Sequence, residues 1–189
     1  MSAQDSKLFV ISGPSGAGKG TLVTRVRERR SNLGLTVSAT TRAPRKGEVD
    51  GVNYFFLTHE EFDRRVANGE FVEWAEVHGN CYGTLVSEVT SKLASGSSLI
   101  LEIDVQGALQ VKERFPEAVL IFIKPPSLEV LRERLVGRGT ETPETIELRM
   151  ANAADELALA DRYDDVVVND DLDRATDELV RVLDMHERI

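Results

Sequence analysis

The sequence contains a single cysteine, Cys81. One thiol can neither close a disulfide within the chain nor supply a cysteine-based zinc cluster. Long apolar runs are also missing, and none approaches the ~20 residues that would span a bilayer. The start, MSAQDSK, has neither the basic first residues nor the apolar stretch of a secretory signal. A cytoplasmic setting without a membrane partner is therefore expected. There is no surplus of positive charge. Lysine and arginine number 23 against 32 acidic residues, a net charge of −9, which argues against general binding to nucleic acid. The histidines, His59, His78 and His186, are scattered, and no Ser-His-Asp or Cys-His constellation stands out. Tandem repeats, low-complexity tails and long linkers are absent too. What remains is a 189-residue chain that is 41% apolar, long enough for one good core and short for two.

Against that background one stretch is unusual. ISGPSGAGKGT places four glycines, a proline and a lysine directly behind the apolar run LFVI. Gly13, four residues, Gly18 and Lys19 fit G-x-x-x-x-G-K, the phosphate-binding loop between a strand and a helix. Backbone amides of Gly13, Pro14, Ser15, Gly16, Ala17 and Gly18 (proline excepted) and a helix N-terminus then point at one spot and favour an anion. Lys19 adds a mobile charge. Gly20 stands where the general motif has Ser or Thr, so the next hydroxyl is Thr21. A metal would then be held mainly by nucleotide phosphates, water and a carboxylate elsewhere.

Along the chain, Phe9–Ile11, Leu99–Ile103, Leu120–Ile123 and Val166–Val168 are nearly continuous apolar runs separated by helical patterns. That alternation predicts an α/β fold with a parallel sheet covered on both faces, and ligands at the carboxyl ends of its strands. SNLGLTVSATT reads as a turn and one further strand. Helices are expected at about 19–30, after a Thr58-x-x-Glu61 capping box, and over Leu128–Gly137. The segment from about Ser38 to Gly83 breaks the alternation and reads as a β-rich insertion over the sheet.

TTRAPRKGEVDGVNY carries Arg42 and Arg45 around Pro44, a fork for one phosphate on a stiffened loop, with Tyr54 as a further donor. By composition alone, these cations read equally well as solvated surface charges. In EFVEWAEVHGNCYGT, Glu73 sits beside Trp74, and Tyr82 and Thr84 follow a Gly79–Asn80 turn. A carboxylate accepts two hydrogen bonds side by side, and guanine offers N1–H and N2–H₂ side by side. An exposed strand carboxylate is the plainer reading of Glu73.

GPSGAGKGT, SATTRAPRKGEVDGVNYFF, FVEWAEVHGNCYGT, EIDVQGA, LRERLVGRGTE and VVVNDDL together resemble the guanylate kinase family over almost the whole chain. The resemblance implies a phosphate-loop NTPase-type core at 1–37, 89–126 and 151–189, a GMP-binding domain at 38–88 and a short helical lid at 127–150. It implies that Arg42, Arg45, Tyr54 and Tyr82 grip the GMP phosphate. Ser38, Glu73 and Thr84 would read guanine, with Asp104 close by. Lys19, Arg134, Arg138 and Arg149 would act on the transferring group. The ATP site would comprise Gly13, Pro14, Ser15, Gly16, Ala17, Gly18, Lys19, Gly20, Thr21 and Asn169. Glu102 stands where the family often has Asp. With Thr21 it would hold Mg²⁺, which arrives with ATP, directly or through water.

The implied reaction is ATP + GMP ⇌ ADP + GDP, with dGMP as a related acceptor. Three other classes fit parts of the pattern. A kinase of another small acceptor is disfavoured by Glu73 with Arg42, Arg45 and Tyr54. A non-catalytic guanylate-kinase-like module typically has a degraded loop, whereas this loop keeps its glycines and lysine. A GTPase switch would want Ser or Thr after Lys19 and Asn-Lys-x-Asp, and VNDD is not that segment. Nothing in the sequence selects between a monomer and a homo-oligomer.

Overall fold

The structure, a computed structural model, describes residues 6–77, 79–137 and 142–188. In chain order, the first half comprises β1 (Leu8–Ser12), α1 (Lys19–Arg29), β2 (Gly34–Leu35), β3 (Ala39–Thr40), β4 (Phe55–Phe56), α2 (His59–Ala67), β5 (Phe71–Val77) and β6 (Asn80–Leu85). Then come α3 (Val86–Ala94), β7 (Leu99–Glu102), α4 (Val105–Arg114), β8 (Val119–Lys124), α5 (Leu128–Gly137) and α6 (Pro143–Leu157). A 3-10 turn, β9 (Asp165–Val168) and α7 (Leu172–Glu187) end the chain. Among the described residues, no helix is long and apolar enough to cross a membrane.

The core is a five-stranded sheet in the order β2-β7-β1-β8-β9, with every pairing parallel. Alternate side chains of the central strands feed two apolar layers, as strand pleating requires. Phe9, Ile11, Ile100, Ile121 and Ile123 pack with Leu22 and Val26 of α1 and Leu179 and Leu183 of α7. Val10, Leu101, Leu120 and Phe122 pack with Val89 of α3 and Val105, Ala108 and Val111 of α4. Each fully buried Leu, Ile or Phe contributes about 1.5–3 kcal/mol, so these two layers outweigh the exposed ion pairs between α1 and α7, such as Arg25–Asp173.

The second sheet, β4-β3-β6-β5, is the expected β-rich insertion. It packs Phe62 of α2 against Phe71, with the rings stacked at 4.3 Å. SNLGLTVSATT behaves differently from the single strand predicted for it. Gly34 and Leu35 pair with β7 in the core sheet, while Ala39 and Thr40 pair with β4 and β6 in the other. The chain crosses between sheets at 36–38, and two-residue strands carry too little periodicity to reveal the split. Lys92 pins the crossing by donating to the Leu35 carbonyl at 2.7 Å, while Glu88 accepts from the Val37 amide at 2.9 Å.

Helix starts follow local chemistry. Thr58 Oγ1 accepts from the Glu61 amide at 3.1 Å, Ser127 Oγ from Val130 at 3.2 Å and Thr142 Oγ1 from Thr145 at 3.3 Å, each satisfying a first-turn donor.

Candidate functional site

β1 runs directly into the glycine loop, and α1 begins where the loop ends. Gly13 has φ +140°, and a Cβ there would collide with the Ile123 carbonyl. Gly18, the residue before α1, has φ +91° and lies against the Asn169 side chain, with no room for a Cβ. Asn169 is buried at the end of β9. Its amide donates to the Ala17 carbonyl at 2.8 Å, and its own carbonyl accepts from Arg134 at 2.8 Å. The Asn169 side chain therefore shapes the loop.

Lys19 Nζ folds over the loop and donates to the carbonyls of Gly13 (2.6 Å) and Pro14 (3.2 Å). Arg149 of α6 donates to Ser15 Oγ at 2.5 Å. Two of the arginines predicted from the sequence thus converge on the loop from different helices, while Arg138 lies outside the described residues. A cleft of ≈ 350 Å³ opens beside them, lined by Gly16, Gly18, Thr21, Arg134, Asn169, Asp170 and Leu172.

The acidic side of this edge is richer than the sequence suggested. Glu102 ends β7, and both its carboxylate oxygens lie 3.6 Å from where a Cβ on Gly20 would be. The carboxylate stands over the position whose side chain the general loop motif uses. Burial pushes its pKa up, and the Lys19 ammonium partly offsets this. Glu156 of α6 is raised in the same way, first by burial, against the pull of Lys19 and with Asp104 adding repulsion. Sequence reasoning missed Glu156. It lies seven residues after Arg149, two turns along α6 on the same face, which is the signal that could have found it.

The second group lies in the insertion. Arg42 donates to Glu48 through both terminal nitrogens, at 2.9 and 3.1 Å. Its guanidinium stands 5.4 Å from the Tyr54 ring centroid, and Tyr54 meets Tyr82 edge-on at 6.3 Å. Glu48 also accepts from the Arg45 amide at 2.7 Å. The Arg42 hydrogen bond, then the Arg45 amide, hold the Glu48 carboxyl below its ordinary range, and Glu48 in turn raises Arg42. The exposed Arg45 side chain completes this corner. Glu48 too was missed, although its place three and six residues beyond two arginines was visible.

Glu73 is 8% exposed, which decides against the plain surface reading. It pairs in register with Thr84, and Ala39 pairs with Gly83, so extending that register by one sets Ser38 opposite Thr84. Thr84 and Glu73 thus face each other across β6 and β5, with Ser38, just before β3, next in line. A bulge between Phe71 and Glu73 shifts the register beside them, and such bulges re-aim side chains. Gly83 accommodates the bulge, since a Cβ there would lie 2.8 Å from the Glu73 carbonyl and the Phe71 ring. Burial raises the Glu73 pKa, the Thr84 hydroxyl opposes the rise, and Asp104 adds to it. Asp104 is exposed and caps α4, accepting from the Gly107 amide at 2.7 Å.

A family model described as guanylate kinase matches residues 5–186. The chain is 57% identical to a guanylate kinase of Gloeobacter violaceus over 178 residues, covering 94% of this chain and 87% of that one. The chain belongs to the guanylate kinase family. It is also 51% identical to a guanylate kinase of Halalkalibacterium halodurans, over 97% of this chain and 90% of the relative. Among solved structures, guanylate kinase from Anaplasma phagocytophilum superposes with a TM-score of 0.73 at 36% identity, over 96% of this chain and 86% of that one. The phosphate-loop parallel sheet with a β-rich insertion is thus the architecture of a guanylate kinase.

Two outcomes test this geometry. Glu48→Ala removes two bonds from Arg42 and one from the Arg45 amide. It also removes a competing charge, but exposed charges interact weakly through water, whereas hydrogen bonds to charged groups fix geometry. Loss of positioning therefore dominates, and the KM for a monophosphate acceptor rises about tenfold, read by steady-state kinetics. Glu73 binds its proton more tightly folded than unfolded. Its ionised form thus lowers stability as pH rises from the unfolded pKa through the raised folded one. Glu73→Gln should raise the melting temperature of the ligand-free protein at neutral pH, and the gain should vanish below the ordinary carboxylate range, as read in melts against pH.

Proposed function

We propose that this chain moves the γ-phosphoryl group of ATP to GMP, releasing ADP and GDP, with ATP on the phosphate loop and GMP in the insertion. The observation that carries this reading is the buried Glu73 carboxylate in register with Thr84, on the same small sheet as the Arg42–Tyr54–Tyr82 corner. It supports a reader of adjacent N–H donors beside a phosphate fork. We assign guanine to Ser38, Glu73 and Thr84, with Asp104 alongside, and the GMP phosphate to Arg42, Arg45, Tyr54 and Tyr82. Residues 38–88 then act as the GMP domain, 127–150 as a lid, and 1–37, 89–126 and 151–189 as the core.

The GMP phosphate has a second pKa of about 6, so its attacking oxygen carries no proton at neutral pH and needs no base. That oxygen bonds to the γ-phosphorus as the bond from phosphorus to the β–γ bridging oxygen breaks, and the electron pair leaves with ADP. The protein's part is to position the two anions and neutralise charge. Loop amides and Lys19 take the donor phosphates. Arg134 and Arg149, already against the loop, and Arg138 take the transferring group. Drawn over the site, the lid keeps water from competing with GMP.

Kinases of this kind use ATP with a divalent metal, and we assign Mg²⁺. The Glu102 carboxylate over Gly20 fits a hard cation, with Thr21 the next residue in the first turn of α1. Together with water and the nucleotide's phosphates they would hold it, and when bound it neutralises phosphate charge.

The test is a coupled ADP-release assay offering GMP, AMP, CMP and UMP separately. Turnover with GMP alone, near the ~1–100 s⁻¹ usual for kinases, is the expected result. Turnover with another base would overturn the role of Glu73. ADP release on none of the four would remove the catalytic reading. In the same assay, Lys19→Ala should lower kcat by at least about 100-fold while the protein still folds, and an unchanged kcat would refute the loop's role.

A further inference from the structure

A glycine in the first turn of α4 has no backbone reason to be there. Gly107 is buried and helical, and its φ is not among the positive values. Glycine is the poorest helix former after proline, so a buried helical glycine points to a lack of room. A Cβ at Gly107 would stand 3.4 Å from a Glu73 carboxylate oxygen, 3.4 Å from Asp104 Oδ1 and 3.3 Å from Ile103 Cδ1. A methyl would fill that space to contact, and any larger side chain would displace one of the three. Asp104 is held by its bond to the Gly107 amide, and Ile103, partly buried, packs against the core. Glu73 alone reaches in from another sheet.

We infer that Gly107 is a specificity-determining positioning residue, whose missing side chain leaves the room in which the Glu73 carboxylate stands. A capping box would put a Glu three residues after the cap, reaching back along its own helix. Here that helical position is bare, and the neighbouring carboxylate comes from β5. The first turn of α4 thus acts as a seat for a side chain of the insertion, fixing where its oxygens meet a purine edge. Displacing them by a few tenths of an ångström misaligns two adjacent hydrogen bonds together. The inference rests on Glu73 reading guanine.

The test compares Gly107→Ala, Gly107→Val and Glu73→Gln with the parent. Four quantities are read: KM for GMP, KM for ATP, the kcat/KM ratio of GMP to IMP, and the melting temperature. IMP lacks the exocyclic amine, so the ratio reports the contact to that group. Gly107→Val should raise KM for GMP at least about 30-fold, since sub-ångström misplacement is costly, whereas Gly107→Ala, whose methyl only reaches contact, should raise it less than about threefold. With Val the GMP-to-IMP ratio should shrink in step, with KM for ATP within twofold. The Ala variant should melt no lower than the parent, because alanine favours the helix, so the helix itself does not require the glycine. If GMP and IMP behave as in the parent with Gly107→Val, while Glu73→Gln brings them together, Gly107 has no such role. If Glu73→Gln leaves the two bases as far apart as before, the guanine-reader assignment fails, and this inference with it. Equal losses for GMP and ATP with a lowered melting temperature would mark Gly107 as merely structural. Should the Val variant fail to fold, Gly107→Ser, one oxygen larger than alanine, decides on the same readings.

Discussion

The bond from Asn169 to the Ala17 carbonyl is the contact on which the site depends. Amides presented to one point gain nothing from that arrangement without an anion, and although the Ala17 amide turns inward onto the Pro14 carbonyl at 3.1 Å and Lys19 bonds across the loop, its far side needs support from outside. Asn169 supplies the support from the end of β9, at 2.8 Å and out of reach of solvent. Removing a buried partner of this kind costs about 1–3 kcal/mol. Gly18 admits the amide by lacking a side chain, and Arg134 fastens the Asn169 carbonyl from α5. Loop, last strand and α5 therefore hold one another, and the cleft beside them is built into the resting fold.

Charge is arranged with similar economy. The chain is acidic overall, and burial raises the pKa of Glu73, Glu102 and Glu156. Ionised, the buried Glu73 destabilises the empty protein, whereas Glu102, at the exposed end of β7, and the half-buried Glu156 keep water to screen them. Lys19 offsets the last two, and a donor-rich base would relieve the first. Such unfavourable groups persist where function needs them, at the expense of stability elsewhere.

Much of this was legible in the sequence because it rests on local pattern. The loop spacing, the four apolar strands and the Thr58 cap each follow from chemistry within a few residues. Ser38, Glu73 and Thr84 could be named from the sequence, but their alignment could not, since it depends on the register of strands far apart in the chain. Arg42 was ambiguous for the same reason, because only its contacts in space with Glu48 and Tyr54 show that it is held in place rather than free on the surface. The division of 34–40 between two sheets left no periodic trace. Gly107 was passed over because a glycine's importance here lies in the room it leaves for another segment.

The carboxylate of Glu73 rests against the first turn of α4, while at the far end of that helix Arg114 donates to the carbonyls of Gly69 (2.5 Å) and Phe71 (3.1 Å). Seven residues of helix separate these fastenings, about 10 Å. With Val72 in the core layer and Lys92 and Glu88 at the 36–38 crossing, they fasten the Glu73 side of the small sheet to the core, whereas the contacts of Arg42 and Tyr54 lie within the insertion. A displacement of the insertion would move Glu73 least and Arg42 and Tyr54 most, so stiffness is concentrated at the carboxylate and compliance at the corner assigned to a phosphate.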